Sequence, residues 1–207
     1  RSQRSIGNNF ITALYEDAEG NIWVGTDVGL YIYYPENDSF RHFEELSAEE
    51  TKIEHTVTAI VGDDQGCVWI AVESQGLFCY DLEKEKLQNF TLKNFPSTNV
   101  QSFVFDNSGT LWIGCYGDGL FYSKDRLKTL QPYISPVDNK ETFENDVVTT
   151  LVKGAYNCLY IGSLRGGAKE LNLTSNKLHD LLSVDENEEP VLCRNLLVAS
   201  DNELWIG

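Results

Sequence analysis

Three histidines, five cysteines and a surplus of carboxylates are the groups in this 207-residue chain that could do chemistry. His42, His55 and His179 stand in no HxH or HExxH spacing, and no cysteine–histidine pair has metal-ligand spacing. No Gly-x-Ser-x-Gly elbow occurs, so no serine is presented as a nucleophile. The glycine-rich segments Gly62–Gly66 and Gly114–Gly119 lead into strand-like sequence, not into a helix whose N-terminus would hold phosphate. Asp106–Gly109 lacks the alternating acidic ligands and closing glutamate of a calcium loop and reads as a turn. Glu44–Glu45, Glu49–Glu50 and Glu188–Glu189 read as solvated connectors. These patterns give no catalytic residue, no metal site and no cofactor. The expectation is a non-enzymatic chain.

Binding is the chemistry that remains. Asp27, Glu73, Tyr116, Asp118 and Arg165 lie in the segments TDVG, VESQG, CYGDG and SLRGG. The flanks of these four segments repeat while the segments themselves differ, which is what a recognition surface on a common scaffold requires. They supply an aromatic face and charged groups for hydrogen bonding.

The scaffold is a repeat. NIWVGT, CVWIAV, TLWIGC, CLYIGS and ELWIG place Trp23, Trp69, Trp112, Tyr160 and Trp205 at intervals of 46, 43, 48 and 45 residues. Twelve residues before the aromatic stand Ile11, Val57, Val100, Val148 and Cys193, and nine before it Leu14, Ile60, Phe103, Leu151 and Leu196. Asp17, Asp63 and Asp106 precede it by six residues, with Gly154 and Ala199 in the other copies. Gly20, Gly66, Gly109, Asn157 and Asn202 precede it by three and suit a turn that needs positive φ. Gly25, Ala71, Gly114, Gly162 and Gly207 follow it by two, where lack of bulk lets a neighbouring backbone come close. Gly29, Gly76, Gly119 and Gly167 open a third strand, and a fourth ends at Phe43, Phe90, Tyr133 and Leu181.

Each unit is a four-stranded antiparallel meander, and a period near 45 residues with strand-like patterning points to propeller blades. The expected fold is an all-β propeller segment, with blades near 8–43, 55–90, 97–133 and 145–181 and a partial fifth at 190–207. Ser47 and Glu50 have capping-box spacing, so a short helix is expected in that connector. A half blade at the end predicts an exposed edge and a tendency to associate.

A formal charge of −16 argues against nucleic acid and anionic membrane as partners. The cysteines are odd in number, contain no CxxC and fall in or beside strands, so buried free thiols are expected. The chain begins with arginine and has no methionine, which is expected of a piece of a longer protein.

Asn9–Leu30 and Thr98–Leu120 resemble the two-component regulator propeller repeat, N-x-V-x-x-I-x-x-D-x-x-G-x-L-W-I-G-T-x-x-G-L. Copy four departs at Gly154, Tyr160 and Gly167-Ala168. The resemblance implies the periplasmic sensor region of a hybrid two-component histidine kinase of gut bacteria. An oligosaccharide ligand, control of polysaccharide utilisation, neighbouring propeller or ectodomain parts of the same protein as partners, and a homodimer in the parent are further implications. Tyr116 would stack on a sugar face and the charged residues would bond its hydroxyls. The competing readings are a protein-interaction scaffold and a propeller lyase or glycosidase.

Overall fold

The computed structural model describes residues 5–45, 52–90, 99–134, 143, 146–199 and 203–207. Two compact units are present, one up to Val100 and one from Gln101. The expected helix at Ser47–Glu50 lies outside the described residues; the described residues of that blade carry only 3-10 turns, at Pro35–Asn37 and Phe43–Glu45.

The first unit holds two meanders. One is β1 (Ile11–Glu16), β2 (Ile22–Thr26), β3 (Gly29–Tyr34) and β4 (Ser39–His42). The other is β5 (Val57–Gly62), β6 (Cys67–Val72), β7 (Gly76–Asp81) and β8 (Lys86–Phe90). All neighbours pair antiparallel. Strands β6 and β7 are buried almost throughout because both of their faces are covered. Trp23, Phe43, Val57, Ile70 and Phe78 belong to one apolar cluster that joins the two sheets.

The second unit begins with β9 (Val100–Phe105), β10 (Leu111–Cys115), β11 (Gly119–Ser123) and β12 (Gln131–Pro132). Next come β13 (Val148–Lys153), β14 (Cys158–Ser163), β15 (Gly167–Asn172) and β16 (Lys177–Leu182), then the pair β17 (Leu196–Val198) and β18 (Leu204–Ile206). Strand β12 is only two residues long, shorter than the repeat predicts. Before it, Arg126 and Leu127 take left-handed φ of 55° and 66°, held by Ser123 and Asp125, and Pro132 has no N–H to extend the ladder.

Four four-stranded blades and a partial one make this fold the all-β propeller segment the repeat predicts. The turn glycines behave as expected: Gly20, Gly66 and Gly109 have φ near 80°, and Asn157 reaches 59°. Asn202 lies outside the described residues.

The small-residue column corrects one expectation. Side chains fill the space more than backbone does. A Cβ on Gly25 would sit 2.8 Å from Val57 Cγ1, one on Gly114 2.5 Å from Val148 Cγ1, and one on Gly162 2.6 Å from Cys193 Sγ. Each partner is the first-strand anchor of the next blade. A threonine following each blade's own anchor bonds the next blade's anchor: Thr12, after Ile11, donates Oγ1–H to Val57 O, and Thr149, after Val148, to Cys193 O, both at 2.6 Å. Glycine and threonine thus lock consecutive blades by shape and by polarity.

Candidate functional site

In each blade, the turn between the second and third strands and the connector into the first strand meet at one end. In the first unit, Asp27 is exposed and its Oδ1 accepts a 2.7 Å hydrogen bond from Asn8 Nδ2. Glu73 is also exposed, and its N–H donates to Thr56 O at 2.8 Å. Gln75 grips the connector at both amide ends: Nε2 donates to Lys52 O at 2.9 Å, and Oε1 accepts from Glu54 N at 3.2 Å. Thr56 Oγ1 also donates to Asp27 O at 3.5 Å, so Asp27 and Glu73 stand on turns that share one connector.

In the second unit, Tyr116 is 57% exposed and bridges Val147. Asp118 and Arg165 are exposed on their turns. Asp146, only 6% exposed, ties these turns together. Its carbonyl accepts from Gly117 N at 3.0 Å, and its Oδ1 accepts from Arg165 N at 3.0 Å and from Val147 N at 2.7 Å. Gly119 must be glycine, since a Cβ would lie 2.4 Å from Phe143 O and its φ is 78°. The sequence reading did not select Asp146, Asn8 or Gln75. Asp146 had a signal: it stands fourteen residues before the aromatic, where the first copy has Asn9.

This end offers hydrogen-bonding groups and an aromatic face, but no activated nucleophile. Burial, helped by Asp118, pushes the Cys115 thiol up to about 12, so it stays protonated at neutral pH. Among the described residues no three histidine, cysteine or acidic side chains converge as a metal site.

The turns between the first and second strands and between the third and fourth strands lie at the other end of each blade. There Asp17, Asp63 and Asp106 each accept a hydrogen bond from the indole N–H of Trp23, Trp69 and Trp112, at 2.8–2.9 Å. The oxygens of Asp106 also take Ser108 N, Ser108 Oγ and Thr110 N. Three donors of the turn meet Oδ1 and the indole meets Oδ2, so this carboxylate organises its own hairpin. A crevice of about 640 Å³ opens beside it, running from Trp112 to Leu173 and Asn176. The same position in the first unit holds one of about 320 Å³, from Trp23 to Leu82 and Glu85. Neither crevice was foreseen from the sequence.

Blades of this kind place the chain among β-propellers. The model of the two-component regulator propeller family matches residues 5–28 and 94–117. The chain is similar in fold to the extracellular domain of a protein described as the hybrid two-component system BT3049 of B. thetaiotaomicron. The TM-score is 0.76 at 20% identity, over 98% of this chain and 28% of that one. The corresponding domain of BT4673 from the same organism gives 0.76 at 19% identity, over 98% and 26%. Histidine kinase P4 of Formosa agariphila is 28% identical over 82 residues, which is 38% of this chain and 6% of that protein. The chain thus spans only a small part of these relatives. Among the described residues no helix is long and apolar enough to cross a membrane.

Proposed function

We propose that this chain is a ligand-recognition segment of an extracytoplasmic sensor propeller, located in the periplasm, within a hybrid two-component signalling protein. Its ligand is an oligosaccharide, and the signal regulates polysaccharide utilisation. The observation that carries the reading is the combination of an invariant scaffold with divergent exposed side chains at one blade end. Asp146 and Thr56 hold the turns, while Asp27, Glu73, Tyr116, Asp118 and Arg165 project from them into solvent. The regulator repeat and the extracellular propellers of similar fold support the signalling context. Tyr116 stacks on a sugar ring and Arg165 and Asp118 bond its hydroxyls. Ligand binding transmits a signal by favouring one state of the assembly. The chain itself performs no catalysis in this reading.

The partners are neighbouring propeller or ectodomain parts of the same protein, with a homodimer in the parent. Ile11 and Leu14 on β1, and Leu197 and Trp205 on β17 and β18, are 43–65% exposed. The equivalent Val57 and Trp23 are buried to 0–1% in the apolar cluster that joins the two sheets of the first unit, so these faces suit another blade.

A glycan array probed with the labelled protein tests the proposal. One retained glycan class, lost in Tyr116→Ala and Arg165→Ala, is expected. Retention of no glycan, or retention indifferent to both substitutions, overturns it.

A further inference from the structure

The two crevices occupy the same place in the repeat but have opposite chemistry. The first-unit crevice lies between the Asp17–Trp23 hairpin and the β7–β8 turn, and the second-unit crevice between the Asp106–Trp112 hairpin and the β15–β16 turn. Asp17 corresponds to Asp106, Trp23 to Trp112 and Leu82 to Leu173, so the framework is constant. Five wall positions change, Asn21 becoming Thr110. Glu19 becomes Ser108, Ile32 becomes Tyr122, Tyr34 becomes Lys124 and Glu85 becomes Asn176. The first-unit crevice carries the carboxylates of Glu19, Glu45 and Glu85 and is the smaller. In the second-unit crevice a hydroxyl stands for Glu19 and an amide for Glu85, an ammonium is added at the place of Tyr34, and the volume is about twice as large.

We infer that the second-unit crevice is a binding site for a saccharide carrying a carboxylate. The inference rests on the saccharide reading for the class of ring, and places it at the blade end opposite Tyr116. Lys124 is exposed, its ammonium lying 5.7 Å from the centroid of the Tyr122 ring. The adjacent Asp125 stays ionised, with its oxygens engaged by Ser123 Oγ, Thr129 N and Thr129 Oγ1. The Asp106 carboxylate is likewise engaged by its own turn. Where the first-unit crevice gathers Asp17, Glu19, Glu45 and Glu85, this one sets the Lys124 ammonium against the single lining carboxylate of Asp106, so it repels an anion far less and offers it a cation. Tyr122 lies half-buried, with its hydroxyl held 2.7 Å from Gln131 Oε1, a partly exposed ring in fixed orientation against which a sugar can pack. Asn176 is exposed at the opposite wall and offers both a donor and an acceptor to ring hydroxyls. An acidic peptide fits less well: the edge strand here, β12, has two residues, one of them Pro132, and cannot template an added strand.

Isothermal titration with trigalacturonate, neutral galactotriose and a hexaglutamate peptide tests the site on the protein. Trigalacturonate is expected to bind with galactotriose far weaker. Lys124→Gln should weaken it by about fivefold or more, and Asn176→Asp, which restores the first unit's carboxylate, should weaken it as well. Tyr116→Ala should leave it unchanged. Loss in Tyr116→Ala instead would move the ligand to the other blade end and overturn this site while sustaining the proposed function. Equal affinity for galactotriose, indifference to Lys124→Gln, or preference for hexaglutamate each overturn it. No binding of trigalacturonate, in a protein that retains a glycan on the array, overturns the crevice alone.

Discussion

The indole Nε1 of Trp112 donates to Asp106 Oδ2 at 2.9 Å, joining the second strand of the blade to the residue that opens its hairpin. The same bond recurs at Trp23–Asp17 and Trp69–Asp63. One carboxylate therefore caps two backbone N–H groups of the turn and satisfies a tryptophan whose ring fills the space between blades.

Asp106→Ala leaves the indole and the Ser108 and Thr110 N–H groups without their acceptor. Each such loss costs about 1 kcal/mol or more, so denaturant unfolding of the second unit should show a loss of about 2–4 kcal/mol. A loss below about 0.5 kcal/mol, the range of neutral surface substitutions, would contradict this role.

The clamp also predicts a pH dependence. Burial raises the Asp106 carboxyl, but hydrogen bonds from Ser108, Trp112 and Thr110 outweigh it and hold the group below its ordinary value of 3.8. A folded value below the unfolded one gives stability that is complete above 3.8 and lost as pH falls through the folded value. The unfolding midpoint of wild type should drop more steeply below that pH than the midpoint of Asp106→Asn. Parallel curves would count against the assignment.

Copy four has exchanged both clamp residues together. Gly154 lies under Tyr160, and a Cβ there would meet the tyrosine ring at 2.5 Å. Burial and the neighbouring Cys158 push the Tyr160 hydroxyl up to about 12, so the ring stays neutral. Gly154→Asp alone should destabilise by about 1–3 kcal/mol. Adding Tyr160→Trp should recover part of that loss by rebuilding the clamp. Strict additivity in thermal unfolding would show that the two positions are uncoupled.

Gly114→Ala drives a methyl group into Val148 Cγ1 at 2.5 Å and Val148 O at 2.9 Å. A destabilisation of about 1–3 kcal/mol is expected, with partial rescue by Val148→Ala, which removes the side-chain half of the clash. Unchanged stability in the single variant would mean that blade spacing is not set by this contact.

All five cysteines are buried thiols. Burial raises Cys115, Cys158 and Cys193 above the ordinary thiol value. Native protein at pH 8 should react with a thiol reagent only at the rate of unfolding, and denatured protein should release five equivalents. A fast native equivalent would mean a thiol that is accessible.

The repeat was legible because burial at fixed intervals imprints on residue type: Trp23, Leu30 and Val57 are apolar in every copy for the same packing reason. The left-handed turn at Gly109 was legible because few residues accept its φ. The Asp–Trp bond was hidden behind a sufficient local explanation, since aspartate already suits a turn without a second partner. The Thr149–Cys193 bond, Asp146 and the crevice around Tyr122 depend on which residues adjoin across blades, and one chain's local pattern carries little trace of that. Strand β12 failed to reach its expected length because Pro132 outweighs the repeat's pattern.

Thermal unfolding of the protein against plant, host and microbial oligosaccharides tests the recognition claim most directly. A ligand at one hundred times its dissociation constant stabilises by about 2.7 kcal/mol. The account predicts a clear upward shift with one glycan class, diminished in Tyr116→Ala or Lys124→Gln. No shift with any glycan, from a protein that unfolds cooperatively, would contradict it.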